Sequence, residues 1–396
     1  MNDFHYIGFD VHKKSIQFCT KRADGQIVEE GRLPATRAAL AGWAAGQERP
    51  WNGALEATMF SAWIYDTLRP HAAELKVAHS AMLQAIAASK HASDRLDARK
   101  IADLVRVGWI PGVWMAPPEL RSLRLLLRYR NLVVRQATQV KNRIASTLMA
   151  HGVEYTKSRL HGKKYFHTLL EQLAEVPPPV RDLLRTSRAS LEMFLSAQRM
   201  LLQRLSGDPT LAERVERLQT IPGVGLVTAR TWALEIGDPQ RFRSAAPAMS
   251  YCGLVAPLQE SAGKPFRQPL SKKRNAALQR VLIEVAHLVA RSHPGLGLLY
   301  ERVKQKRNSG AAVIAVARKL VAYLLAVDKS RRPFQWRSAA PAPDIAPNSP
   351  TGKRRCSPSR LSACRFSIPN GLRRIAGPSS LCRDCPYRRA SGVGPR

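Results

Sequence analysis

Acidic side chains are scarce in this chain. Aspartate and glutamate number 29 against 63 lysines and arginines, a formal net charge of +34 over 396 residues. So large an excess exceeds what solubility needs and implies a polyanionic partner; nucleic acid is the commonest, because neutralising phosphates releases counterions. Long apolar runs are missing too. No stretch approaches the roughly 18–20 unbroken apolar residues of a membrane span, and Met1 to Tyr6 begins no secretory signal. No membrane partner is therefore expected, and the cytoplasm is the expected location. No G-x-x-x-x-G-K-[ST] segment occurs, so there is no P-loop to bind ATP. Cysteines are few, six in all. Cys19 and Cys252 stand alone among apolar residues and read as small buried side chains. Cys382 and Cys385 form one C-x-x-C, but Cys356 and Cys364 are spaced too widely to complete a zinc knuckle.

What is present divides into four parts. Residues 1–112 have α/β character: "YIGFDVHKKSIQFCTKRADGQIVEEGRLP" gives three strands with an Asp24-Gly25 turn. Helix, strand ("NGALEAT"), helix, strand ("ELKVAHS") and a closing helix from about Asp94 to Val107 follow. This order resembles an RNase H-like sheet. Residues 113–210 are expected to form a long helical coiled-coil hairpin. Leu123, Leu126, Val133, Ala137, Val140, Ile144 and Leu148 recur at helical spacing, and a second stretch from about Pro179 to Leu205 can return antiparallel. No acid occurs between Glu119 and Glu154, while Arg121, Arg124, Arg128, Arg135, Lys141 and Arg143 crowd the hairpin's other faces as phosphate contacts. Residues 211–330 read as all-α. There "LQTIPGVGLVTARTWALEIG" suggests a helix-hairpin-helix-like segment whose Gly223 and Gly225 bring backbone amides to a phosphate. An irregular loop from Gly253 to Leu270 and three helices starting near Ser271, Gly295 and Ser309 complete this part, with Ser271 as an N-cap. From residue 331 to 396 a basic Pro/Ser/Arg-rich composition without period predicts a disordered tail, or an extension past the functional stop.

Two acids sit where a charge is costly. Asp10 interrupts the apolar strand "IGFDVH", and Glu56 ends the strand "GALEAT". A carboxylate in such a place needs a partner or a metal. Asp94 and Asp97, three apart in "HASDRLDARK", fall on one side of a helix. Brought together, four carboxylates are hard oxygen ligands suited to Mg²⁺, which bridges phosphate oxygens. His12, near Asp10, reads as a strand-end surface residue that could assist proton transfer.

"GFDVHKK", "ALEAT", "SDRLDARKIADL", "IPGVGLVTA" and "CGLVAP…ESAGK…SKKRNAALQRVLIE" together resemble the DEDD transposases of the insertion-sequence one-ten family, over about residues 4–328. The resemblance implies a RuvC-like, RNase H-like domain with catalytic, metal-holding Asp10, Glu56, Asp94 and Asp97. It also implies a C-terminal transposase domain with Ser261 as nucleophile, although Glu260 and Ala262 depart from the family's S-S-G-G-K loop. Attack by Ser261 would give a covalent phosphoserine that retains the phosphodiester's bond energy. The family further implies a prokaryotic, nucleoid-associated protein, DNA substrates (element ends and target), a noncoding guide RNA, and a homo-oligomer, dimer or tetramer. Lys13, Lys14, Lys264, Arg267, Lys272, Lys273 and Arg274 are additional phosphate contacts. Two other readings fit the same residues: a junction endonuclease whose acids activate water, and a nucleic-acid-binding protein without catalysis.

Overall fold

Apolar side chains alternate with small ones along the first strands, and this alternation decides what packs on each face. The computed structural model describes residues 4–86, 93–261, 264–267 and 269–336. Strands β1 (His5–Val11), β2 (Ser15–Lys21) and β3 (Ile27–Pro34) form an antiparallel meander. Helix α1 (Arg37–Ala45) leads to β4 (Trp51–Glu56), which lies parallel to β1. Helix α2 (Ser61–Leu68) leads to β5 (Glu74–Ala78), parallel to β4. Then come α3 (Ser80–Ile86), α4 (Asp94–Arg106) and a short antiparallel edge strand β6 (Gly112–Val113). The sheet order is β3-β2-β1-β4-β5-β6.

One face of this sheet is greasy: Ile7, Phe9, Trp51 and Leu55 pack with Leu40, Ile64 and Leu68 of the two crossover helices. The other face is nearly bare of bulk. Gly8 pairs with Cys19 on one side and Ala54 on the other, and helix α4 lies on this lane through Ala98 and Ala102.

Beyond the sheet the chain is helical. Helix α5 (Pro118–Ala150) buries Leu127, Val133, Ala137, Ile144 and Leu148, a stripe at helical spacing. After α6 (Lys163–Glu171), helix α7 (Pro178–Ser206) returns antiparallel: Leu148 and Ile144 share a core with Leu184 and Leu191, and Leu127 shares one with Leu205. Helices α8 (Pro209–Gln219) and α9 (Leu226–Ile236) follow, and α9 is buried from Thr228 to Ile236. The turn between them holds Gly223 at φ 77°, where a Cβ would stand 1.9 Å from the Val289 side chain. Glycine there is a packing requirement.

Next come α10 (Ala245–Tyr251), a hairpin of β7 (Leu258–Ser261) and β8 (Lys264–Arg267), α11 (Ala276–Ser292), α12 (Pro294–Lys306) and α13 (Ser309–Ser330). The segment expected to be an irregular loop thus contains a two-stranded ladder. The N-cap of α11 is Asn275, whose side chain accepts from Ala277 and Leu278 amides, and not Ser271; Asn275 sits where two free amides can reach one oxygen. Helix α13 is long and apolar enough, by composition, to cross a membrane, but it runs through the C-terminal core, burying Val316, Leu320 and Leu324. Asp328 near its end accepts from Arg214 and from the Trp232 indole at 2.9 Å. Beyond it Phe334 and Trp336 fold back onto Tyr323 and His293. The basic tail and its four cysteines lie outside the described residues.

Candidate active site and basic cleft

Asp10 is 8% exposed, on the small-residue face of β1 two positions past Gly8. The β1–β4 register pairs Phe9 with Leu55, so Glu56 ends the strand next to that of Asp10, but its carboxylate is not among the donors gathered at Asp10. It faces the same way because Ala54, two residues earlier, packs with Ile101 of α4. Close packing of α4 on Gly8 then brings the N-terminal turn of that helix, with Asp94 and Asp97, to the same end of the sheet. Ser93 caps this turn, accepting from the Leu96 amide at 3.3 Å.

His12 joins the cluster. Its Nε2 is 2.9 Å from the Asp10 carboxylate and 3.4 Å from that of Asp94, and donor atoms of these three residues all lie within 4.8 Å of one another. Asp97 stands slightly aside, accepting from Lys100 Nζ at 2.9 Å. Burial pushes the Asp10 carboxyl above its ordinary value, His12 works against this, and the charges of Asp94 and Asp97 add to it. Burial alone would lower the His12 pKa, but the Asp10 and Asp94 carboxylates more than offset it and the net shift is upward. Asp10 is therefore a carboxylate short of positive charge. Oxygen donors in such a cluster, with one exposed imidazole, suit a hard divalent cation.

A second acid, Glu30 on β3, holds the helix in place. It accepts from Arg95 Nε at 2.8 Å and from Arg99 Nη2 at 2.7 Å. The Arg99 guanidinium, joined by Arg95, holds its carboxyl down to about 2 against the effect of burial. Since both arginines belong to α4, the edge strand of the meander positions the helix that carries Asp94 and Asp97.

The candidate phosphate contacts fall into three groups. Lys13 and Lys14 are exposed at the β1–β2 turn, next to the acids. Lys141 and Arg143 lie at the far end of α5, half-buried and exposed respectively. Arg124, Arg128, Arg135, Lys272, Lys273 and Arg274 line one cavity of about 1040 Å³ between α5, the β6 edge and the start of α11. The absence of acids within α5 did not leave its arginines free, because partners arrive from elsewhere in the fold. Arg121 pairs with Asp66. Arg124 donates to the carbonyls of Leu234 and Glu235. Arg128 makes a two-pronged bond to Glu235 at 2.9 and 2.8 Å. Arg274 donates to the Ser271 carbonyl. Gly223 and Gly225 are exposed, and Gly225 is the N-cap of α9 with open space beside it.

Ser261 ends β7, paired with Lys264, and Arg267 pairs with Leu258 at the other end of the hairpin. The hairpin belongs to the C-terminal half of the chain, apart in sequence from the sheet that carries the acids.

Two family models match. A DEDD transposase family of the IS110 type covers residues 7–152, and the Transposase IS116/IS110/IS902 family covers residues 215–301. The chain belongs to the IS110/IS116 transposase family. The transposase for insertion sequence element IS1328 of Yersinia enterocolitica is 26% identical over 242 residues, 58% of this chain and 69% of that protein. The transposase for IS1111A of Coxiella burnetii is 25% identical over 235 residues, 57% and 64% respectively. The pilin gene-inverting protein of Moraxella bovis is 32% identical over 139 residues, 34% and 43%. The matches to the first curated relatives span 47% to 69% of the relatives' own length.

Within this IS110-type chain, His12 and Glu30 are the site residues that sequence reasoning undervalued. Two-residue spacing from Asp10 was a signal for His12. For Glu30 there was none, since it meets Arg95 and Arg99 only through the packing of α4 across the sheet.

Proposed function

We propose that the chain is a Mg²⁺-dependent DNA transposase or recombinase. Asp10, Glu56, Asp94 and Asp97 hold the metal, and Ser261 is the nucleophile. The observation that carries this reading is the convergence of Asp10, His12 and Asp94, on a strand whose parallel neighbour ends in Glu56. The donor set fits the ion: carboxylate oxygens on adjacent elements, with Asp10 destabilised by burial and by its acidic neighbours. Mg²⁺, when bound, would neutralise these acids, polarise a phosphate and stabilise a leaving oxygen.

The residues divide the remaining work. The Ser261 hydroxyl oxygen forms a bond to phosphorus as the bond to a deoxyribose oxygen breaks, and the hydroxyl proton passes to solvent or to a nearby base. A proton returns to the leaving oxygen, for which His12 is the available imidazole beside the acids. Attack by a second strand's hydroxyl reverses the step, so resealing needs no ATP. Residues 1–112 form the RuvC-like part, 113–210 the coiled-coil hairpin, 211–330 the transposase part with its helix-hairpin-helix-like turn, and 331–396 a basic Pro/Ser/Arg-rich tail. A composite site of this kind is assembled in a homo-oligomer on element and target DNA, and the strong net charge is in keeping with a noncoding guide RNA as well.

A second reading, an endonuclease whose acids activate water, gains support from the Asp10, His12 and Asp94 donors gathering without any contribution from the C-terminal half. A denaturing gel of protein, nicked or junction DNA and Mg²⁺ decides. Protein-linked DNA that disappears in Ser261→Ala is the expected result. Free cut ends that survive Ser261→Ala would establish the endonuclease, and no product at all would leave only nucleic-acid binding.

A further inference from the structure

The cavity between α5, the β6 edge and the start of α11 has a composition that the catalytic reading does not use. Arg135, Arg241, Lys272, Lys273, Arg274 and Arg280 all face it, and no acid lines it among the described residues. Glu235, which meets Arg128 and Asn275 of the lining, is fully buried and already occupied by them. Like charges so gathered repel one another, and folding would not favour the arrangement without an anion to bind. Two polar atoms in the lining are also unsatisfied. The His79 Nδ1 and the Arg241 Nη2 are buried with no hydrogen-bond partner among the described residues, although such atoms are normally paired. The Trp114 ring centre is 5.4 and 4.8 Å from the guanidinium carbons of Arg124 and Arg241, and the residue is 37% exposed.

We infer that this cleft binds the phosphodiester backbone of one unpaired nucleic-acid strand. Its volume, about 1040 Å³, sits at the upper end of small-ligand clefts and accommodates a few nucleotides of a single strand. Fixed cations beside an aromatic ring are the usual equipment for a single strand. One wall comes from the N-terminal sheet, through His79 and Trp114, and the other from the C-terminal half, through Arg241 and Arg280. A strand seated there ties the two halves together. The inference deepens the proposed function by adding an unpaired strand to its substrates, but it involves neither Ser261 nor the acids.

The test is fluorescence anisotropy of the full chain with labelled oligonucleotides of about ten nucleotides, within the usual range of single-strand sites, in EDTA so that no cleavage occurs. Unpaired DNA, unpaired RNA and duplex DNA are compared. Tighter binding of either unpaired strand than of duplex is expected, and the better of the two identifies the strand. Arg135→Ala/Lys272→Ala/Arg280→Ala, all exposed positions, should lower the slope of log K against log salt for the unpaired strand by about 2, at about 0.7 per phosphate contact. The same number of substitutions at the end of α12 and its C-cap, Arg302→Ala/Lys306→Ala/Arg307→Ala, should leave the slope within error. Preference for duplex, an unchanged slope in the cleft variant, or an equal drop in both variants overturns the inference. Because Mg²⁺ is withheld, such a failure would not touch the catalytic reading, and loss of cleavage in Asp10→Asn would not touch the cleft.

Discussion

Gly8 lies directly beneath the backbone of Ala98: a Cβ on Gly8 would stand 2.2 Å from the Ala98 carbonyl oxygen and 2.4 Å from the Ala102 amide nitrogen. Neither atom can swing aside, because both belong to the ladder of α4. The distance between helix and sheet, and so the reach of Asp94 and Asp97 toward Asp10, is set by the missing side chain. Gly8→Ala is expected to cost about 1–3 kcal/mol by overpacking. It should also separate the acids, so that cleavage falls further than the fraction unfolded. Urea unfolding beside a cleavage assay checks this, and cleavage that tracks the folded fraction would mean the acids need no such closeness.

Asp10→Asn and Asp97→Asn should abolish strand cleavage while salt-sensitive nucleic-acid binding stays largely intact, since a lost carboxylate weakens no phosphate contact. Asp10→Asn should in addition stabilise the fold slightly in the absence of metal, because it removes a buried charge that is raised in pKa by its surroundings. Cleavage gels, anisotropy and thermal melts in EDTA measure the three quantities. A loss of binding as large as the loss of cleavage counts against metal ligation.

Acid should loosen α4 through Glu30. Its carboxyl is held down to about 2 in the fold, against roughly 4.3 in an unfolded chain. The depressed value means the Glu30 contribution is fully present above about pH 4.3 and drains away as pH falls toward 2. Glu30→Gln should therefore lower stability at pH 7 by about 1–3 kcal/mol, the loss of charge-assisted hydrogen bonds, and flatten the acid limb of a stability–pH curve. An acid limb identical to that of the parent would show that Glu30 is not clamped.

Much of the sheet was legible because alternation of apolar and polar or small residues has a period of two, and short turns kept neighbours close in sequence. The long stripe of α5 was legible for the same kind of reason. Asp10 and Glu56 stood out because a charge within an apolar strand is conspicuous. What could not be read was whatever distant segments supply. Arg128 finds Glu235 107 positions away, so a helix without acids looked like an uncompensated basic face. The β7–β8 ladder was hidden because its four-residue strands carry Glu260, Lys264 and Pro265 instead of a β-branched run. The choice of Asn275 over Ser271 as N-cap rested on where the helix begins, which short polar runs do not specify.

Glu235 is fully buried, and its pKa is lowered on balance: burial pushes it up, but Arg128 and Asn275 more than offset this. Glu235→Ala should cost about 3–5 kcal/mol, the price of leaving a desolvated cluster unneutralised. The double variant with Arg128→Ala should recover part of that loss. A double-mutant cycle on melting free energies measures the coupling, and strict additivity would mean the pair does not act as a unit.

The way the last helices are sealed has a consequence for synthesis. All six strands of the sheet are in place once residue 113 has emerged. The C-terminal core, by contrast, waits for Asp328 to reach Trp232 and for Phe334 and Trp336 to close over Tyr323 and His293. Domains fold as units during translation, N-terminal first. The acid-bearing half is thus formed on the ribosome while the serine-bearing half is still open, and a nascent chain released short of residue 328 carries folded carboxylates with no ordered partner for them.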